Sequence, residues 1–266
     1  MSDILVDRPL PAVVRLTLNR PESLNSLTRP MVKDFNQALD DAAEDSSCRV
    51  VIVTGAGRGF CSGQDIRAAV DRQDPAKDSI VSKLASQRMF ASMGQRMRRM
   101  SQPVIAAVNG VAAGAGMAIA CAADIRIIVP TTRFLVASVR IGLSAGESGV
   151  SYHLPRWMGA GRAFEIMLTG RPIEAEEALM TGLAVRIVAA EELQDAAMQQ
   201  AEAILGNSPL AVAETKQLMW RSLDADSLDA AVALENPTQI VCNATADYKE
   251  ALNAFVEKRP PSFNGT

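Results

Sequence analysis

The sequence has few of the residues that build metal and redox centres. It contains one histidine and four cysteines, Cys48, Cys61, Cys121 and Cys242, with no CxxC spacing among them. No zinc or iron–sulfur site is expected from that set. Cys48, Cys61 and Cys121 fall in or beside predicted core and read as reduced thiols of a cytoplasmic protein. Basic runs are also missing, and the formal net charge is −3, which argues against a nucleic-acid or anionic-membrane partner. The most apolar stretch, Pro103 to Ala123, is broken at Asn109-Gly110 and followed by Asp124 and Arg126, so membrane insertion is not expected. The N-terminus starts acidic and passes directly into a strand pattern, unlike a signal peptide. What remains is ordinary globular material. Of 266 residues, 48% are hydrophobic and 21% charged, enough for one large domain or a core with an appendage.

The chain is organised around Pro103 to Asp124, PVIAAVNGVAAGAGMAIACAAD. Val104 to Val108 is a short apolar run ending at a strong turn signal, which predicts a buried strand. Gly114-Ala115-Gly116 then opens a segment of small apolar residues, predicting a helix buried on every face. The first turn of such a helix has N–H groups without intrahelical partners, and glycines let another group approach them closely. That arrangement favours negative charge, including charge that develops only during a reaction. A close-packed core helix with no ligand explains the same residues.

Upstream, Ala12 to Leu18 alternates like a strand, and Pro30 to Ala43 has helical spacing with Thr28 suited to its start. Val50 to Val53 predicts a buried strand, followed by the glycine-rich turn Thr54 to Asp65. Arg67 to Asp78 is polar and aperiodic, a loop. A Met- and Arg-rich helix is expected over Ser79 to Met100. Strands are expected at Ile125 to Val129, Phe134 to Val139 and Leu183 to Val188, with a loop from Gly142 to Gly149 and a helix from Glu174 to Thr181. From about Glu191 the pattern is only helical: Glu191 to Leu205, Pro209 to Leu223, Leu228 to Asn243 and Asp247 to Glu257. Strand–helix alternation giving way to helices predicts an α/β fold with a helical C-terminal part.

Three motifs compete for the chemistry. Glycines at 55, 57 and 59 fail the dinucleotide fingerprint, because Phe60 occupies the third glycine position. The tyrosine–lysine pair of short-chain dehydrogenases is also missing. Tyr152 is followed by Arg156 across Pro155, which is expected to break the helix. Gly142-Leu143-Ser144-Ala145-Gly146 matches the GxSxG nucleophile elbow, yet the lone His153 follows too closely for a triad and is expected to pack beside a helix start. Glu147 stands out as an acid in a loop of small and apolar residues. Withdrawn from water, such a carboxylate is a better proton carrier near neutrality; a solvated turn or a helix cap is the plainer alternative.

Taken together, Cys61-Ser62-Gly63-Gln64-Asp65, Gly110 to Gly116, Asn19-Arg20-Pro21-Glu22 with Asn25, and Phe255-Val256-Glu257-Lys258-Arg259 resemble the crotonase (enoyl-CoA hydratase/isomerase) family over about Val13 to Phe263. The resemblance implies a crotonase/ClpP-like spiral of ββα units over residues 1–205. It also implies a helical C-terminal oligomerisation region over 206–266, in a homotrimer or dimer of trimers. It implies an acyl-CoA substrate, with coenzyme A present only as part of the thioester and no permanently bound cofactor. Matched residue by residue, the two amides that hold the thioester oxygen fall on Gln64, after Gly63, and on Ala115, after Gly114. The two glutamates of efficient hydratases fall on Ala118 and Ser138, neither of which can do carboxylate chemistry. Glu147 lies where other branches, including dienoyl-CoA isomerases and a dehalogenase, carry a catalytic carboxylate. The loop is one residue longer here, so that match is regional. Coenzyme A contacts are implied for Arg20, Leu24, Asn25, Asp65 and Ile66, and for Lys258 from a neighbouring subunit. The Ser79–Met100 helix either lines the acyl pocket or is core. Isomerase-like proton transfer by Glu147 alone is the leading expectation; addition of water would need Glu147 to do both tasks, with help from Ser138. Thioester hydrolysis and a weakly catalytic acyl-CoA-binding subunit are the alternatives.

Overall fold

The first two strands pair with each other. β1 (Ile4–Leu10) runs antiparallel to β2 (Val13–Leu18). The structure, a computed structural model, describes residues 2–66 and 79–266; the expected loop Arg67 to Asp78 lies outside the described residues. From β2 onward the large sheet is parallel, through β3 (Val50–Gly55), β4 (Val104–Val108), β6 (Ile125–Ile128) and β9 (Arg186–Ile187). Its order is β1-β2-β3-β4-β6-β9. Parallel strands covered on both faces need continuous apolar runs, and VVIV and VIAAV supply them. Side chains alternate between two cores, as a two-residue strand period demands. Val51, Val53, Val104 and Ala106 join the larger core with α1 (Arg29–Glu44); Val50, Ile52, Ile105 and Ala107 face α7 (Leu193–Leu205) on the other side. Thr28 caps α1 by accepting from Met31 N, as its position suggested.

α2 (Ile80–Arg99) buries Phe90, Met93, Gly94 and Met97, so its methionine stripe belongs to the core. A small second sheet combines β5 (Val111–Ala113), β7 (Arg133–Leu135) and β8 (Ile173–Glu174). Between β5 and β6 runs α3 (Ala115–Ala122), with every residue buried.

Four sequence expectations are corrected. The strand expected to reach Val139 stops at Leu135 and passes into a 3-10 turn at Ala137–Ile141. Its partner β5 ends where Gly114 turns into α3, so the ladder has nothing left to pair with. The strand expected over Leu183 to Val188 shrinks to Arg186–Ile187, because Leu183 and Ala184 pack into the core instead. Pro155 does not break a helix. It lies inside α4 (Val150–Met158), beyond the first turn, and its carbonyl still accepts from Gly159 N. Apart from a helix start beside His153, no bounded element was expected over 150–169, where α5 (Ala160–Thr169) follows α4; Pro155, Gly159 and Gly161 obscured both.

After α6 (Ala175–Thr181) and α7, the chain closes with α8 (Pro209–Ser222), α9 (Leu228–Asn243) and α10 (Ala246–Glu257). None of the residues of α9 is buried, and Phe255 and Val256 on α10 are 84% and 79% exposed. Among the described residues no helix is long and apolar enough to cross a membrane.

Candidate active site

The turn after β3 is stitched to its surroundings on two sides. Towards the β2–α1 connection, Ser62 N–H donates to Leu24 O at 2.9 Å, Leu27 N–H to Gly63 O at 2.7 Å and Asp65 N–H to Leu27 O at 3.0 Å. Towards β5, Cys61 N–H donates to Val111 O at 3.0 Å and Ala113 N–H to Cys61 O at 2.8 Å. Because Gly63 O and Asp65 N–H both face Leu27, the Gln64 N–H points the other way, as neighbouring peptides alternate in extended chain. Asn109 holds the outer part of the same turn, its amide donating to Gly55 O and Gly57 O, each at 2.8 Å.

This stitching brings two glycines together. A methyl group on Gly63 (φ +92°) would stand 2.8 Å from Ala113 O and 3.5 Å from Ala115 N. One on Gly114 (φ +50°) would stand 3.9 Å from Gly63 Cα and 3.3 Å from Glu147 Oε1. The positive φ calls for glycine at both positions, and at Gly63 the Ala113 carbonyl also leaves no room for a side chain. The first bond of α3 is Ala118 N–H to Gly114 O, at 3.0 Å, so the N–H groups of its first turn lack partners within the helix. Neither Gln64 nor Ala115 N–H is a donor in the loop and cap hydrogen bonds among the described residues.

Glu147 reaches this place from the loop before α4. Ser138, largely buried in the 3-10 turn, donates its hydroxyl to Glu147 Oε1 at 2.6 Å. Ala118, one turn into α3, contributes only a buried methyl group. The structure therefore gathers Gly63, Gln64, Gly114, Ala115, Glu147 and Ser138 from four separate segments.

Other candidates lie elsewhere or are occupied. Arg20 ion-pairs with Asp65 at 3.0 Å and donates to Ser26 O at 2.6 Å, so two residues implied for coenzyme A bind each other. Asn25 is fully buried; its side chain accepts from Arg20 N and donates to Ala56 O and Gly59 O, and its own N–H donates to Arg20 O at 2.8 Å, so it holds the turn together. Ile66 is exposed, and Lys258 ends α10 exposed in a left-handed conformation. Ser144 Oγ accepts from Gly146 N at 3.1 Å, a turn contact rather than a nucleophile's. His153 is buried, its Nδ1 has no partner, and desolvation, then Arg98, pushes its pKa down to about 4. Burial pushes the Cys61 thiol up to about 12, so it is inert as a nucleophile. Among the described residues no cluster of three or more His, Cys, Asp or Glu could hold a metal.

Two contacts escaped the sequence reading. The Ser138–Glu147 pair spans nine residues across an irregular turn, with no periodic signal to announce it. Asn109 had been read only as half of an Asn-Gly turn, although it clamps a glycine loop from fifty residues away.

The profile of the enoyl-CoA hydratase/isomerase family matches residues 10–266. A Mycobacterium tuberculosis protein named probable enoyl-CoA hydratase is 42% identical over 267 residues, covering 99% of this chain and 93% of its own length. The Escherichia coli 1,2-epoxyphenylacetyl-CoA isomerase is 36% identical, with both chains covered completely. The crystal structure of a probable enoyl-CoA hydratase/isomerase from Mycobacterium abscessus superposes with a TM-score of 0.91 at 39% identity, again covering 100% of each chain. Two glycine bends meeting at the start of a buried helix, within a fold and sequence shared along the whole chain, place this protein in the enoyl-CoA hydratase/isomerase, or crotonase, family.

Proposed function

We propose that the protein processes an acyl-CoA thioester through an enolate, with Glu147 as the only carboxylate that moves protons. The Gln64 and Ala115 N–H groups hold the thioester oxygen as negative charge develops on it. Preorganised donors of this kind each supply roughly 3–4 kcal/mol of transition-state stabilisation. Glu147 takes a proton from the acyl chain next to the thioester and returns it elsewhere, which is isomerisation. Addition of water by the two-acid route lacks its acids, since Ala118 and Ser138 stand at those positions.

The observation that carries this reading is the approach of Glu147 Oε1 to within 3.3 Å of the methyl position on Gly114, beside Gly63. Relatives named hydratase and isomerase match at similar identity, so their names do not choose between the reactions. Coenzyme A is expected along the Leu24–Asn25 turn and Ile66, with Lys258 reaching a phosphate of a neighbouring subunit's ligand. The exposed apolar faces of α9 and α10 favour a homotrimer or dimer of trimers.

The test is a panel of enoyl-CoAs, including 3-hexenoyl-CoA, incubated in deuterated water with wild type and Glu147→Gln. Double-bond migration or deuterium at the α-carbon, lost in Glu147→Gln, is the expected result. Release of free coenzyme A marks a hydrolase, inertness marks an acyl-CoA-binding subunit, and equal wild-type and Glu147→Gln rates remove Glu147 as the base.

A further inference from the structure

We propose that Ser138 is a positioning residue for the Glu147 carboxylate and so a determinant of one-base chemistry; this rests on the reading of Glu147 as the base. The Ser138 hydroxyl donates to Glu147 Oε1 at 2.6 Å, and the Ser138 carbonyl accepts from Leu143 N at 2.9 Å. Three residues upstream, the Leu135 carbonyl accepts from Gly114 N at 3.0 Å. The short segment 135–138 therefore grips the Gly114 peptide with one residue and the carboxylate with another. The spacing between base and helix start is set by the end of one strand.

Glu147 needs such a hold. Its backbone is fixed, since Glu147 N–H donates to Ala145 O at 3.0 Å and Val150 N–H to Glu147 O at 2.9 Å. Ser148 beside it sits at φ +48°, a conformation non-glycine residues avoid, which makes the loop's course deliberate rather than slack. None of this constrains the side-chain torsions of Glu147. Among the described residues, Ser138 Oγ donates to the carboxylate, at Oε1. The carboxylate's remaining lone pairs receive the proton from the α-carbon while the C–H electron pair forms the enolate double bond and the carbonyl π pair moves onto the thioester oxygen. The same proton then returns to carbon, and the carboxylate and Ser138 end as they began. The hydroxyl proton is committed to Oε1 throughout, so Ser138 does not replace the missing second acid.

The experiment is a double-mutant cycle on 3-hexenoyl-CoA with Ser138→Ala, Ser138→Thr, Glu147→Gln and the Ser138→Ala/Glu147→Gln pair. Loss of alignment predicts that kcat of Ser138→Ala falls about 10- to 100-fold with KM within about twofold. Ser138→Thr, which keeps the hydroxyl, recovers most of that loss. The pair is no slower than Glu147→Gln alone, because a residue acting through another adds nothing once its partner is gone. A wild-type kcat in Ser138→Ala, no recovery in Ser138→Thr, or additive losses in the pair overturn the proposal and leave Glu147 as base. A wild-type rate in Glu147→Gln, or a wild-type enzyme inert on this thioester, removes both.

Discussion

The two ends of α3 are treated in opposite ways. At its start, Gly114 and Ala115 face Gly63 and Glu147, and the N–H groups of the first turn are left open. At its finish, donors crowd in. The Arg126 side chain donates to Ala123 O and Leu183 O, and the Trp157 indole to Cys121 O at 3.3 Å. Arg126 is a fully buried cation lying 4.4 Å from the Trp157 ring, and desolvation lowers its pKa. Just beyond, Asp124 accepts from Val104 N at 2.7 Å, Trp220 Nε1 at 2.8 Å and Lys216 Nζ at 3.0 Å. Buried polar groups are normally all paired. One end follows that rule closely; the other suspends it where a ligand is expected to complete the set.

The comparison can be broken from either side, and the largest effect is expected at the finished end. Asp124→Ala leaves the buried Lys216 ammonium without its counter-charge, with only the Met97 and Gln102 carbonyls to accept from it, and removing one partner of a buried pair costs about 3–5 kcal/mol. Urea unfolding is expected to show that loss, and a smaller one would mean that the two carbonyls hold Lys216 without the carboxylate. At the open end, Ala115→Pro deletes one N–H at the first helical position, where proline fits a helix well. Stability should change little while kcat falls about 10²- to 10³-fold. Circular dichroism melts with kinetics check this pair of outcomes, and activity surviving in a folded variant removes Ala115 from the site.

The smallest effect concerns His153, which packs edge-on to Trp220 at 5.5 Å and so belongs to the finished end. Its folded pKa is about 4 against 6.5 when free, through desolvation first and then Arg98, Arg126 and Arg156, with Asp224 opposing. Below pH 6.5 the unfolded chain gains a proton that the folded one refuses. Stability is therefore lost as pH falls from about 6.5 to 4, by up to about 1.4 kcal/mol per unit. Above pH 6.5 this contribution is flat. Unfolding curves of wild type and His153→Phe across that range should converge at acid pH; parallel curves would show that the imidazole is not the cause.

Sequence patterns were readable wherever one local rule acted alone. Val50–Val53 and Val104–Val108 are continuous apolar runs because both faces of the parallel sheet are covered. The glycine bends were readable because few residues tolerate such backbones. Residues 134–139 misled because strand length is set by the partner, and β5 is three residues long. Pro155 misled because a proline beyond the first turn costs one hydrogen bond, which the packing of α4 on α3 and α5 outweighs. The Ser138–Glu147 contact depends on how two irregular segments meet in space, and Asn25 resembled a ligand contact although its amide is enclosed. Neither property is encoded in local spacing.

The stitching of residues 61–65 on both sides has a kinetic corollary. The peptide that carries the Gln64 N–H cannot rotate without breaking the bond from Leu27 N to Gly63 O, and Cys61, tied to Val111 and Ala113, anchors the chain leading into it. An anionic oxygen arriving at Gln64 therefore meets a donor already aimed, and its capture should show a single fast phase instead of a slow isomerisation after encounter.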